Sequence, residues 1–140
     1  MILDGAQPEA IARAAGALAA GELVGLPTET VYGLAADAGS DAAVRAIFAA
    51  KGRPTDHPLI VHLADPGAVP HFAAAVPDFA QRLIDAFWPG PLTVILPRQA
   101  GVAKAAAGGH PTIGLRCPAH PVAHALLVAC AARGVHGLAA

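Results

Sequence analysis

Large aromatic anchors are few, and a charge of one dominant sign and a cysteine framework are missing, in this 140-residue chain. Aromatics make up 4% of it against an apolar fraction of 55%, much of that alanine, which predicts a core of closely packed small side chains suited to helix-on-sheet layering. Nine Lys and Arg against ten Asp and Glu leave a formal charge of -1. No field of one sign exists to hold nucleic acid or an anionic membrane, so any basic site has to be local. Cys117 and Cys130 form no CxxC pair and read as free thiols in a reducing cytosol. The N-terminal stretch lacks a basic n-region, and Glu9, Arg13 and Glu22 interrupt its apolar residues. Neither a signal peptide nor a membrane span is predicted, and the expected setting is soluble and cytoplasmic. A GxxxxGK[ST] cradle and a GxSxG elbow are also absent, which excludes Walker-type phosphate binding and gives covalent hydrolase chemistry no support.

What is present alternates between helical and extended patterns. Pro8 suits a first helical turn, Ile11, Ala14, Ala15 and Leu18 recur at helical spacing, and Gly21 marks the stop. ELVGLP (22–27) reads as a short buried strand, and TETVYGLAADAG as the segment leading away from its end. Ser40 or Asp41 can cap a second helix carrying Val44, Ile47, Phe48 and Lys51, ended by Gly52 and Pro54. LIVHL (59–63) is a β-branched run expected of a central strand. Phe79, Leu83, Ala86 and Phe87 mark a third helix, LTVIL (92–96) and TIGLRC (112–117) two more strands, and residues 121–132 a last helix. The pattern predicts one α/β domain over residues 1–140 with mixed or parallel pairing.

Several constellations carry chemistry, each with a plainer alternative. Lys51 and Arg53, two residues apart, can hold different oxygens of one polyphosphate, or can both be solvated, with Lys51 favoured by the helix dipole. Thr28, Glu29, Thr30 and Tyr32 present hydroxyls and an acid after the first strand, either for a small polar substrate or as ordinary turn and capping groups. Arg116, inside an apolar strand, must point to solvent or pair with an anion, from a ligand or from the chain itself. His62 fits a hydrogen-bonded core histidine or a site residue. His120 and His124 have the i, i+4 spacing of metal ligands, but HPVAH lacks the glutamate of HExxH and a third ligand, so no metal site is assigned.

Four blocks in order, GLPTETVYGLAADA, KGRPTDHPLIVH, FWPGPLTVIL and IGLRCPAHPVAHALL, together resemble the YrdC/Sua5 family of threonylcarbamoyl-AMP synthases over roughly residues 8 to 130. The resemblance implies a YrdC-like twisted mixed sheet with flanking helices around a positively lined cavity. It also implies the reaction: L-threonine, bicarbonate or CO2 and ATP, with Mg2+ on the phosphates, give threonylcarbamoyl-AMP and pyrophosphate. A separate TsaD-like transferase then makes t6A at adenosine 37 of tRNA. Carried over residue by residue, the resemblance makes Lys51 and Arg53 the catalytic cations on the ATP phosphates. Thr30, His62 and Arg116 become the threonine site, with Arg116 on the carboxylate, and His57, Thr112 and Tyr32 become further nucleotide contacts. His57 stands where the family often has asparagine.

The family pattern continues into a PSAN-type motif, whereas this chain reads VACAARGVHGLAA after the last helix. The expected serine and asparagine fall near His136 and Leu138. Residues 131–140 are therefore expected to be an unrelated tail, as a frameshift or truncation would leave. A sheet edge and apolar helix faces would then be uncovered and activity weak or lost. Competing readings are a carbamoyl-adenylate-forming YrdC-like domain, a module for double-stranded RNA or tRNA, and an inactive remnant.

Overall fold

The computed structural model describes residues 4–27 and 32–140. Helix α1 (Pro8–Ala19) starts on its proline and buries Ala10, Ala14, Ala15 and Leu18. Strand β1 (Val24–Pro27) follows and pairs antiparallel with β2 (Tyr32–Asp37), in register Val24–Ala35 through Pro27–Tyr32. Two expectations change here. The 22–27 stretch is an edge strand rather than a buried one, and part of the segment expected to lead away from it is itself a strand. YGLAAD is rich in glycine, alanine and aspartate, which have poor intrinsic strand preference, so pairing with β1 and burial of Ala35 and Ala36 decide its conformation.

Helix α2 (Asp41–Lys51) is capped as its sequence predicts. The Ser40 hydroxyl accepts from the Ala43 N–H at 3.2 Å, and Gly52 leaves the helix at φ 61°, in the left-handed region. The Arg53 N–H then returns to the Phe48 carbonyl at 2.9 Å, closing a Schellman turn. Strand β3 (Ile60–His62), a 3-10 turn (Pro66–His71), helix α3 (Asp78–Phe87), β4 (Val94–Pro97), β5 (Thr112–Arg116) and helix α4 (Pro121–Ala131) follow. In α3 the apolar spacing predicts the helix but not its inward side. Ala80 and Ile84 are buried, while Phe79 and Phe87 are 67% and 57% exposed.

Part of the segment expected to be an unrelated tail lies within the sheet. Leu138 and Ala139 form β6, which lies between β2 and β3 and pairs antiparallel with both, in the sheet order β1-β2-β6-β3-β5-β4. Val135, Gly137, Leu138 and Ala139 are buried. The end of the chain therefore contributes to the sheet and core.

One sheet face packs Ala36, Ala139, Val61, Leu115, Val94 and Leu96 with α2 and α3 residues such as Ile47, Phe48 and Ile84. The other packs Leu26, Ala35 and Leu138 beneath Leu18 of α1 and Leu126, Leu127 and Cys130 of α4. Alternation along the strands sends neighbours to opposite faces, so Val61 and Leu115 enter the first core while His62 and Arg116 belong to the second face.

A methyl group on Gly137 would meet Val61 at 2.8 Å and the Phe72 ring at 2.9 Å. Gly137→Ala is expected to cost about 1–3 kcal/mol in urea unfolding through overpacking. An unchanged midpoint would show that β6 is not stitched into the core.

Candidate functional site

Helices α1 and α4 cover the β1-β2-β6 end of the second face. Over β3, β5 and β4 that face carries a cleft of about 230 Å³ lined by Pro58, Leu59, Ile60, Thr93, Ile95, His110, Thr112 and Gly114. Parallel register sets Ile60 beside Gly114 and His62 beside Arg116, and antiparallel register sets Ile95 on the other side of Gly114. Cross-strand partners share a face, so Ile60, His62, Thr112, Gly114, Arg116 and Ile95 all belong to the cleft side of the sheet. Gly114 has no side chain to fill the floor, and a methyl there would come within 3.3 Å of Thr93.

His62 and Arg116 are 5% and 4% exposed, the two buried polar or charged residues among those described. His62 Nδ1 lies 3.3 Å from the Leu138 carbonyl oxygen. A carbonyl can only accept, so in this contact Nδ1 carries the proton and donates. Arg116 Nε donates to the Gly90 carbonyl at 3.0 Å, and the Gly90 N–H donates to the Cys117 carbonyl at 2.8 Å. The guanidinium is thereby fixed by the loop that precedes β4.

The remaining predicted residues are distributed unevenly. Thr112 lines the cleft. Lys51, Arg53 and His57 are exposed on the end of α2 and the loop after it, and among the described residues none of the three lines the cleft. That loop reaches the cleft through Pro58. The described lining of this cleft holds no Lys or Arg; Arg116 lies two residues further along β5 from Gly114, and a second cavity is lined by Arg45 and Lys104 among others. Thr30 lies outside the described residues, as do Thr28 and Glu29, and Tyr32 begins β2. Ile60, Thr93, His110 and Gly114 were not among the predicted site residues. Counting back from Arg116 in steps of two gives Gly114 and Thr112, so alternation in TIGLR was the signal for part of them.

His120 works as a helix cap, its Nδ1 accepting from the Val122 N–H at 3.2 Å. Among the described residues no group of three His, Cys, Asp or Glu is arranged to hold a metal ion. Both cysteines are free and buried. Burial, with Asp65 nearby, pushes the Cys117 thiol from 9.0 up to about 12, and burial, with Asp37 nearby, pushes Cys130 up to about 11. Among the described residues no helix is long and apolar enough to cross a membrane.

An open mixed sheet with helices on both faces and a cleft over its parallel pair defines an α/β domain of the open-sheet class. The Sua5/YciO/YrdC family model, described as telomere recombination, matches residues 16–136, and the chain belongs to that family. The match runs past residue 130, where the sequence pattern alone suggested a break. A threonylcarbamoyl-AMP synthase of Pyrococcus abyssi is 47% identical over 114 residues, which are 81% of this chain and 34% of that protein. One of Bacillus subtilis is 46% identical over 118 residues, which are 84% of this chain and 34% of that protein. The structure of P. abyssi Sua5 complexed with L-threonine superposes with a TM-score of 0.89 at 42% identity, over 95% of this chain and 38% of that one. The chain thus spans about a third of the length of these relatives.

A thiol with its pKa raised on folding stabilises the native state below the unfolded value near 9, and that contribution is lost as pH rises toward the folded value. For Cys117 and Cys130 the loss falls between pH 9.0 and about 12. At pH 8 the shift of Cys117 lowers its thiolate fraction about a thousandfold, so labelling of the native protein by a thiol reagent should be slow and should become rapid on unfolding in urea. Equal rates in the two states would contradict the buried placement.

Proposed function

We propose that this chain carries the L-threonylcarbamoyladenylate synthase activity for which its relatives are named, with residues 1–140 acting as one unit in the cytoplasm. The observation behind this reading is the register pair His62–Arg116, buried side by side on the face that bears the cleft. A buried guanidinium with an imidazole on the neighbouring strand suits an α-amino acid, whose carboxylate pairs with the guanidinium.

In the proposed reaction bicarbonate loses its hydroxyl and the unprotonated threonine amine loses one proton, together as water, as the new C–N bond forms a carbamate. A carbamate oxygen attacks the α-phosphorus of ATP, its bond to the β-phosphate oxygen breaks, and pyrophosphate leaves. Arg116 holds the carboxylate and His62, with Thr30, the rest of threonine. Thr112, His57 and Tyr32 contact the nucleotide. Lys51 and Arg53 offset the charge that accumulates when two anions meet and pyrophosphate departs. ATP enters as its Mg2+ complex, the ion being held by the phosphates as part of the substrate. The product would pass to a TsaD-like transferase acting on tRNA.

Purified protein should release pyrophosphate only when threonine, bicarbonate and ATP are all present. Arg116→Lys keeps the charge but not the fork, and should raise the KM for threonine at least about tenfold with a native circular dichroism spectrum. Lys51→Ala or Arg53→Ala should lower kcat by about a hundredfold. ATP turnover independent of threonine would overturn the substrate assignment, and an unchanged threonine KM in Arg116→Lys would remove the carboxylate role.

A further inference from the structure

The segment bearing Lys51, Arg53 and His57 is exposed, yet its far end is tied down from one direction. His110 Nε2 lies 3.0 Å from the Asp56 carbonyl oxygen, a contact the carbonyl can only accept. The Leu59 N–H donates to the Ala106 carbonyl at 2.8 Å. Gly108, at φ 64°, sits so close that a methyl on it would lie 2.7 Å from the Asp56 carbonyl oxygen and 3.2 Å from the Pro58 nitrogen. Residues 104–110 are themselves anchored. The Asp41 carboxylate, at the start of α2, accepts from the Ala105 N–H at 3.2 Å, and Arg98 Nε donates to the His110 carbonyl at 2.9 Å. Arg98 also donates through Nη1 to the Val102 carbonyl at 2.9 Å. The His110 ring meanwhile lines the cleft, as do Pro58 and Thr112.

We infer that His110 is a positioning residue for the cation-bearing loop, fixing the peptide of Asp56 so that the chain from Lys51 to His57 is presented to the anionic end of a nucleotide. Its work is done through the loop: the Nε2–H holds Asp56, and Arg98 holds His110 from behind. This role rests on the reading of Lys51 and Arg53 as phosphate-facing cations, although the tether itself does not.

Two variants separate the tether from bulk packing. His110→Phe keeps a ring and removes the donor, while His110→Gln supplies an N–H the same number of bonds from the backbone. Hydrogen–deuterium exchange across residues 52–59 should quicken in His110→Phe and return toward the parent rate in His110→Gln. The KM for ATP should rise about tenfold in His110→Phe and recover in His110→Gln, with the KM for threonine within about twofold throughout. Unchanged exchange in His110→Phe would overturn the tether, and an unchanged ATP KM, or equal rises for ATP and threonine, would overturn the positioning role. Failure of the functional reading shows separately, as absence of threonine-dependent pyrophosphate release by the unsubstituted protein.

Discussion

The parallel ladder between β3 and β5 is the constraint on which the cleft depends. Parallel neighbours cannot be joined by a tight turn, so the chain from residue 63 to residue 111 has to leave the sheet and return. It uses that excursion to place α3 against one face and to add β4 antiparallel at the edge. The same ladder fixes register, and a slip of one residue would turn His62 and Arg116 away from the cleft and into the core occupied by Val61 and Leu115. Core and site are thus specified together by one alternation of side chains.

Small residues make the second half of this arrangement possible. Strand β6 occupies the gap between β2 and β3, and the chain can enter only because Gly137 brings no side chain against Val61 and Phe72. Once there, Leu138 fills the core beneath α1 and α4 while its carbonyl accepts from His62. One residue serves both packing and orientation. The alanine content acts similarly: Ala14, Ala15 and Ala123 let α1 and α4 approach each other and the sheet without large anchors.

Helices were legible because their signals are local. Pro8, Ser40 and Gly52 each act through a backbone group or dihedral near them, and the structure uses each as expected. Strand β3 was legible from its β-branched run, and Arg116 from the oddity of a charge inside an apolar strand. What was not legible depends on pairing. YGLAAD and LA have no strand signal of their own and become strands because β1 and β3 offer edges to them. The outward stripe of α3 shows the same limit, since helical period fixes a face but not its direction. His110 escaped notice because its partner, Asp56, is distant in sequence and contributes only a backbone carbonyl.

The site residues occupy two electrostatic settings, and the difference bears on the proposed chemistry. Arg116 and His62 are buried on paired strands, where desolvating the guanidinium costs several kcal/mol, a cost that carboxylate recognition would put to use under the proposed function. Lys51 and Arg53 stand in water on a loop, where a charge pair at 4 Å is worth about 1 kcal/mol. At the effective dielectric of a partly enclosed site the same pair is worth about 4 kcal/mol. Under the proposed function the loop cations would gain most of their strength only when bound nucleotide displaces water around them, and would then act most on the charge that develops as pyrophosphate leaves. A loop left wholly free would spend part of that gain on being ordered, and its anchorage to residues 104–110 lowers that cost.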